Sequence, residues 1–155
     1  MSAIISDNGL YRYELRRKFL AGQGLCCFVM LNPSTADAEQ DDATVRRCVA
    51  FAKSWGHGEL VVVNLFAFRS TNPKNLFKAA DPVGPENMAH LSSAALSSRA
   101  VVCAWGVHGS FKSQGLNVLR RLNDLGVTPL ALARTKSGHP SHPLYLPKDL
   151  MPVPL

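Results

Sequence analysis

Four continuous apolar runs constrain this chain more than any other feature: residues 25–31, 60–66, 100–105 and 129–133. They do not alternate apolar with polar, which is how strands covered on both faces read. The segments between them have helical period. From residue 42 to 55 the apolar positions Val45, Cys48, Val49, Ala52 and Trp55 recur every three or four residues. Asp41 stands where an N-cap belongs, and Gly56 and Gly58 end the pattern. Pro85 and Glu86 open a second helix with Met88, Leu91 and Ala95 inward. Residues 112–125 form a third, with Leu116, Leu119 and Leu122 inward and Gly126 as its stop.

Strand and helix in strict alternation predict an α/β fold. The expected form is a three-layer α/β/α sandwich around a short, mainly parallel, four-stranded sheet. Residues 11–15 alternate weakly and add at most an edge strand. Residues 72–85 read as a connection with one helical turn around Leu76, and residues 148–155, with two prolines, as a surface tail. A chain of 155 residues without repeats or linkers is expected to be one domain, residues 1–155, and a monomer.

Composition narrows the functional classes. No apolar run approaches the roughly 20 residues that span a bilayer. The first residues lack the basic flank and long apolar core of a signal peptide. A cytoplasmic location without membrane contact is the expectation. Cys26, Cys27, Cys48 and Cys103 sit in apolar surroundings without a Cys-x-x-Cys pair, so they read as buried small hydrophobes rather than metal ligands. Neither a metal nor another cofactor is expected. The formal charge of +6 suits a partner rich in phosphate, although the basic residues are dispersed and form no tail.

Ligands of open parallel sheets bind beyond the carboxyl ends of the strands, so those four ends carry the functional reading. The first run ends in Asn32-Pro33-Ser34-Thr35-Ala36-Asp37 and leads through Asp41-Asp42 into a helix. This is either a helix-capping turn or a loop that holds Asn32, with Ser34 hydroxyl and an aspartate, over a cleft. Neither a Gly-rich dinucleotide loop nor a P-loop is present. The second run contains Asn64, whose amide, inside so apolar a stretch, needs a partner; an amide both donates and accepts along a nucleobase edge. Phe66 is a candidate stacking face. Gly106, after the third run, lets a ligand approach the backbone. The last end holds Lys136, Gly138-His139-Pro140-Ser141 and His142-Pro143-Leu144-Tyr145.

Those motifs carry two resemblances. Met30-Leu31-Asn32-Pro33-Ser34-Thr35-Ala36-Asp37, Asp41-Asp42, Val62-Val63-Asn64-Leu65-Phe66, Gly138-His139-Pro140 and His142-Pro143-Leu144-Tyr145-Leu146 resemble, over nearly the full length, a bacterial and phage family known as domain of unknown function 1643. Their order also resembles the uracil-DNA glycosylase superfamily. That second resemblance implies a base-excising enzyme, a monofunctional DNA glycosylase acting on uracil or another modified base in single- or double-stranded DNA. It implies Asn32 as holder of the attacking water, with Asp37 or Asp42 as the alternative activator. Asn64 would read the base edge, and His139 would stabilise the departing base. Residues 142–146, with His142 and Tyr145, would enter the minor groove, while Arg69, Lys136 and Ser141 would hold phosphates. Two other readings fit the same cleft: a non-catalytic binder of nucleic acid or nucleotide, and a hydrolase of a free nucleoside or nucleotide.

Overall fold

The computed structural model describes residues 1–34 and 36–155. Its elements are β1 (Ser2–Ile5), β2 (Arg12–Lys18), β3 (Leu25–Met30), α1 (Ala43–Ser54), β4 (Glu59–Asn64), α2 (Pro73–Lys78), α3 (Asn87–Ser97), β5 (Ala100–Cys103), α4 (Gln114–Asp124), β6 (Pro129–Ala131) and β7 (Val153–Pro154), with a 3-10 segment over Val107–Ser113. The sheet has seven strands in the order β1-β2-β4-β3-β5-β6-β7, not four. Its centre, β4-β3-β5-β6, is parallel and consists of the four apolar runs. Antiparallel strands extend it on both sides: β2 on β4, β1 on β2, and β7 on β6.

Two of those extensions correct the sequence reading. The weakly alternating strand, β2, is not an edge, because β1 pairs with its far side. The carboxy-terminal residues do not trail over the surface: β7 pairs with β6, and the Leu155 N–H donates to the Pro129 carbonyl at 3.0 Å. Leu150 also returns to the fold, its carbonyl accepting from Trp55 Nε1 at 3.0 Å.

Strict alternation along β3 separates two cores. Leu25, Cys27 and Val29 face one, with Val61, Val63, Val101, Cys103 and the apolar sides of α2, α3 and α4. Cys26, Phe28 and Met30 face the other, with Leu60, Val62, Val102 and α1 residues Val45, Cys48, Phe51 and Ala52. Trp55 seals the second core by stacking on Phe28 and Phe51, with ring centroids 6.0 and 5.3 Å away. All four cysteines are buried and free. Burial pushes the Cys26 and Cys103 thiols up to about 12, so they act as packing groups rather than nucleophiles.

Helix boundaries depart from the sequence pattern at two places. Asp42, not Asp41, caps α1, its Oδ1 accepting the Val45 N–H at 2.8 Å; Asp41 is taken by Arg17 at 2.7 Å. The helix α4 starts at Gln114, after Lys112 and Ser113 at φ 53° and 55°. That left-handed step turns the helix, so Gly115, Val118 and Leu122 pack inward and Leu116 points out, 57% exposed.

Leu91 of α3 is fully buried in the first core. Truncating it leaves a cavity that close-packed neighbours fill only in part. Leu91→Ala is expected to lower the unfolding free energy by about 2–5 kcal/mol in urea titration, with the denaturant slope retained.

Candidate functional site

The neighbouring strands β3 and β5 are followed by helices on opposite faces of the sheet: α1 after β3, α4 after β5. Their loops diverge and leave a crevice at the carboxyl ends, where open α/β sheets bind ligands. A cleft of about 390 Å³ occupies it. Met30, Val45, Cys48 and Val62 supply apolar lining, and Asn32, Ser34, Asp42, Asn64, His108, His142 and Arg12 converge with them as polar groups. A mostly apolar cleft with a few convergent polar groups is the usual form of a small-molecule site.

Asn64 ends β4 opposite Met30. Only 1% of the residue is exposed, and among the described residues neither Nδ2 nor Oδ1 has a hydrogen-bond partner. Leaving such a group unpaired in the interior costs about 1–3 kcal/mol. Its backbone carbonyl, by contrast, accepts from Asn87 Nδ2 at 2.8 Å. The backbone is thus tied to α3 while the side chain is buried and chemically unfilled.

The loop after β3 is built around its own polar groups. Asn32 Nδ2 donates to the Pro33 and Ser70 carbonyls at 3.1 and 2.8 Å, so its Oδ1 is the part of the amide left for a ligand or water. Ser34 Oγ donates to Asp42 Oδ2 at 2.7 Å, joining this loop to the α1 N-terminus. Cys48 lies on the cleft wall, where burial pushes its thiol well up and makes it unreactive.

His142 completes the opposite wall. The Leu144 N–H donates to its Nδ1 at 3.2 Å, which places the ring proton on Nε2. Burial lowers its pKa, and the Asp42 carboxylate partly opposes that shift. The side chain is therefore a neutral imidazole with an N–H donor to offer.

The remaining sequence candidates distribute differently. Gly106 lines the cleft at φ 76°, but its N–H is committed to the Pro140 carbonyl at 2.8 Å. Asp37 lies away from it: its carboxylate accepts the Glu39 and Gln40 N–H groups at 2.8 and 2.9 Å, which pulls its pKa down and makes it a turn former. Phe66 is wholly buried on the opposite core, against Phe111 at 5.6 Å, and offers no stacking face. His139 lines a second cleft of about 520 Å³ with Arg134, Ser110 and Ser113, separated from the first by Trp105. Two backbone bonds part the histidines: Pro140 is pinned to Gly106, and the Ser141 N–H donates to Ala133 at 2.9 Å. Ser141 is half-buried beside this seam, and Lys136 is exposed on the turn that precedes it.

Arg69 lines a shallow depression that shares Ser34, Ser70 and Thr71 with the main cleft and adds Lys78. Tyr145, 94% exposed at φ 70°, borders a groove with Arg46, Arg47 and Lys148. A bulky residue at positive φ is strained, and here the strain presents an aromatic ring to solvent. Among the described residues no cluster of three or more His, Cys, Asp or Glu side chains is placed to hold a metal, and no helix is long and apolar enough to cross a membrane.

Sequence reasoning missed Arg12, Thr44, Ser70 and Thr71 on the cleft wall. Ser70 and Thr71 sit in a connection without motif, and Thr44 lies in the first turn of α1. Arg12 is one charge in a weakly alternating strand, and nothing local says which way it faces.

Fold and cleft define an α/β protein with a cleft at the switch point of a mixed sheet. The family model described as "Protein of unknown function (DUF1643)" matches residues 12–144. The chain belongs to that family. Comparison with curated proteins and with solved structures finds no match.

Two outcomes follow from this geometry. Asn64→Leu removes an unpartnered amide, so thermal or urea unfolding should show a gain of about 1–3 kcal/mol while ligand binding in the cleft is lost. For His142, the native state binds fewer protons than the unfolded chain. Its stabilising effect is present above the ordinary value of 6.5 and is lost as pH falls below it. Melting curves from pH 8 to 5 should show a shallower acid-side decline in His142→Asn; an unaltered decline would contradict the neutral buried imidazole.

Proposed function

We propose that this cleft receives a nucleobase from a nucleic-acid strand and hydrolyses its N-glycosidic bond, in the manner of uracil-DNA glycosylases, on a deaminated or otherwise modified base. The observation that carries the reading is Asn64: a buried amide with a donor and an acceptor unpaired is complementary to the donor–acceptor edge of a base such as uracil. An extruded base needs such a pocket, closed to water and lined by apolar groups.

The remaining groups fit the chemistry. The water oxygen bonds to the anomeric carbon as the carbon–nitrogen bond breaks, and the electron pair stays on the ring nitrogen. Asp42, held by Val45 and Ser34, accepts the proton of that water, and Asn32 Oδ1 orients it. Charge on the departing base meets the Nε2–H of His142, a role that passes from His139 to His142 on the basis of which ring lines the cleft. Cationic depressions flank the cleft, Arg69 and Lys78 on one side and Arg46 and Lys148 on the other, with Tyr145 available to stack. They favour a strand over a free nucleoside.

The test is incubation with single- and double-stranded oligonucleotides bearing uracil, hypoxanthine or an oxidised pyrimidine, followed by alkali to break the strand at abasic sites. The expected result is cleavage at one modified base. His142→Ala and Asp42→Asn should each slow it by about 10²–10⁴, and His139→Ala should keep most of the rate. Salt-sensitive binding without cleavage would replace the enzyme by a binder, and turnover of free nucleosides alone would make it a nucleoside hydrolase.

A further inference from the structure

Arg12 is the one buried polar group on the cleft wall that the proposed reaction has not used. It is carried by β2, whose N–H at Arg12 donates to the Ala67 carbonyl at 3.0 Å, just beyond the end of β4 that carries Asn64. The residue is 3% exposed, yet it lines the cleft. Nη1 donates to the Ala36 carbonyl at 2.7 Å, and Nε has no partner among the described residues. Nor do those residues supply Arg12 with an ion pair within contact distance, whereas Arg17, five residues further along β2, holds Asp41 at 2.7 Å. An interior guanidinium without a contact ion pair is costly to maintain, and here the Asp42 carboxylate of the same cleft attracts it only from beyond contact distance. Burial pushes its pKa down to about 10, which leaves it charged at neutral pH.

We propose that Arg12 forms an anion subsite beside Asn64, so that the cleft holds its planar ligand with a negative charge on or next to the ring. Under the glycosylase reading, on which the identity of that ligand rests, the anion is the departing base, whose ring nitrogen keeps the electron pair of the broken bond. A fixed positive charge in a dry cleft stabilises that charge without reorganisation. Arg12 then supplies the full charge that the neutral His142 does not. The fork of donors on a guanidinium suits an oxyanion on a ring or on phosphate, so the experiment separates those two sources.

The full chain is titrated calorimetrically at pH 7 with uracil, with barbiturate (a ring of similar shape carrying a negative charge), and with inorganic phosphate. The wild type is expected to bind barbiturate at least tenfold more tightly than uracil. Arg12→Met should abolish that preference while changing uracil affinity less than twofold, and Arg12→Lys should restore part of it. Melting curves of Arg12→Met should show little loss, because removing a buried charge offsets the lost bond to the Ala36 carbonyl; if it fails to fold, Arg12→Lys carries the comparison. Equal wild-type affinity for the two rings, or a preference that survives in Arg12→Met, overturns the proposal and leaves the base-reading role of Asn64 standing. If neither ring binds, the base reading fails. Phosphate binding lost in Arg12→Met would then keep the anion subsite and assign it to phosphate, and absence of phosphate binding would remove both.

Discussion

The burial of β3 on both faces is the constraint from which the rest of the structure follows. A strand with Leu25, Cys27 and Val29 on one side and Cys26, Phe28 and Met30 on the other needs an apolar layer over each face. It also needs a hydrogen-bonded neighbour at each edge, which β4 and β5 supply in parallel register. Parallel neighbours require crossovers, and crossovers of one hand send α1 to one face and α3 and α4 to the other. The crevice at the carboxyl ends of β3 and β5 is the geometric remainder of that arrangement, present before any side chain in it is specified.

Many buried polar groups of the interior are paired: Arg17 with Asp41, Glu14 with His90 at 2.6 Å, Asn87 Nδ2 with the Asn64 carbonyl, while single atoms such as Arg47 Nε, His57 Nδ1 and Asn87 Oδ1 stay open among the described residues. Around the cleft, Asn64 keeps both ends of its amide unfilled and Arg12 keeps a buried nitrogen unfilled. Natural sequences break such rules chiefly where function needs it. Both residues are buried, at 1% and 3% exposure. An unfilled amide and a guanidinium without a contact ion pair on one cleft wall are the physical basis for reading the site as a receiver of a polar, charge-bearing ring.

The loops that frame the crevice are tied to one another by hydrogen bonds. Asn32 ties its own loop to Ser70, Ser34 ties it to the cap of α1, and Pro140 ties the final loop to Gly106. Trp105 is packed against two glycines; a methyl group on Gly109 would meet its Cδ1 at 2.2 Å, which forbids any larger residue there. This ring divides the strand-end surface into two clefts and decides which histidine faces which.

The four parallel strands, the helices between them and the position of Asn32, Ser34, Asp42 and Asn64 at the carboxyl ends of the strands were legible in the sequence, because hydrophobic period and polar interruptions of apolar runs are local signals. The flanking strands were less so: β2 showed only as a weakly alternating edge, and β1 and β7, four and two residues long, pair only because β2 and β6 offer them an edge. The same limit explains the sites. Whether Phe66 faced a ligand or the core depended on which side of the sheet its chain crossed. Whether His139 or His142 entered the cleft depended on two backbone hydrogen bonds to β5 and β6 loops more than 25 residues away in sequence for the first of them. Arg12 reached the site through strand pairing with a segment some 50 residues distant. Local propensity and pattern thus determined which elements form and which residues are polar where they should not be. Only long-range pairing and packing decided which of those residues share a cavity, because that choice is made by contacts the chain acquires after its elements exist.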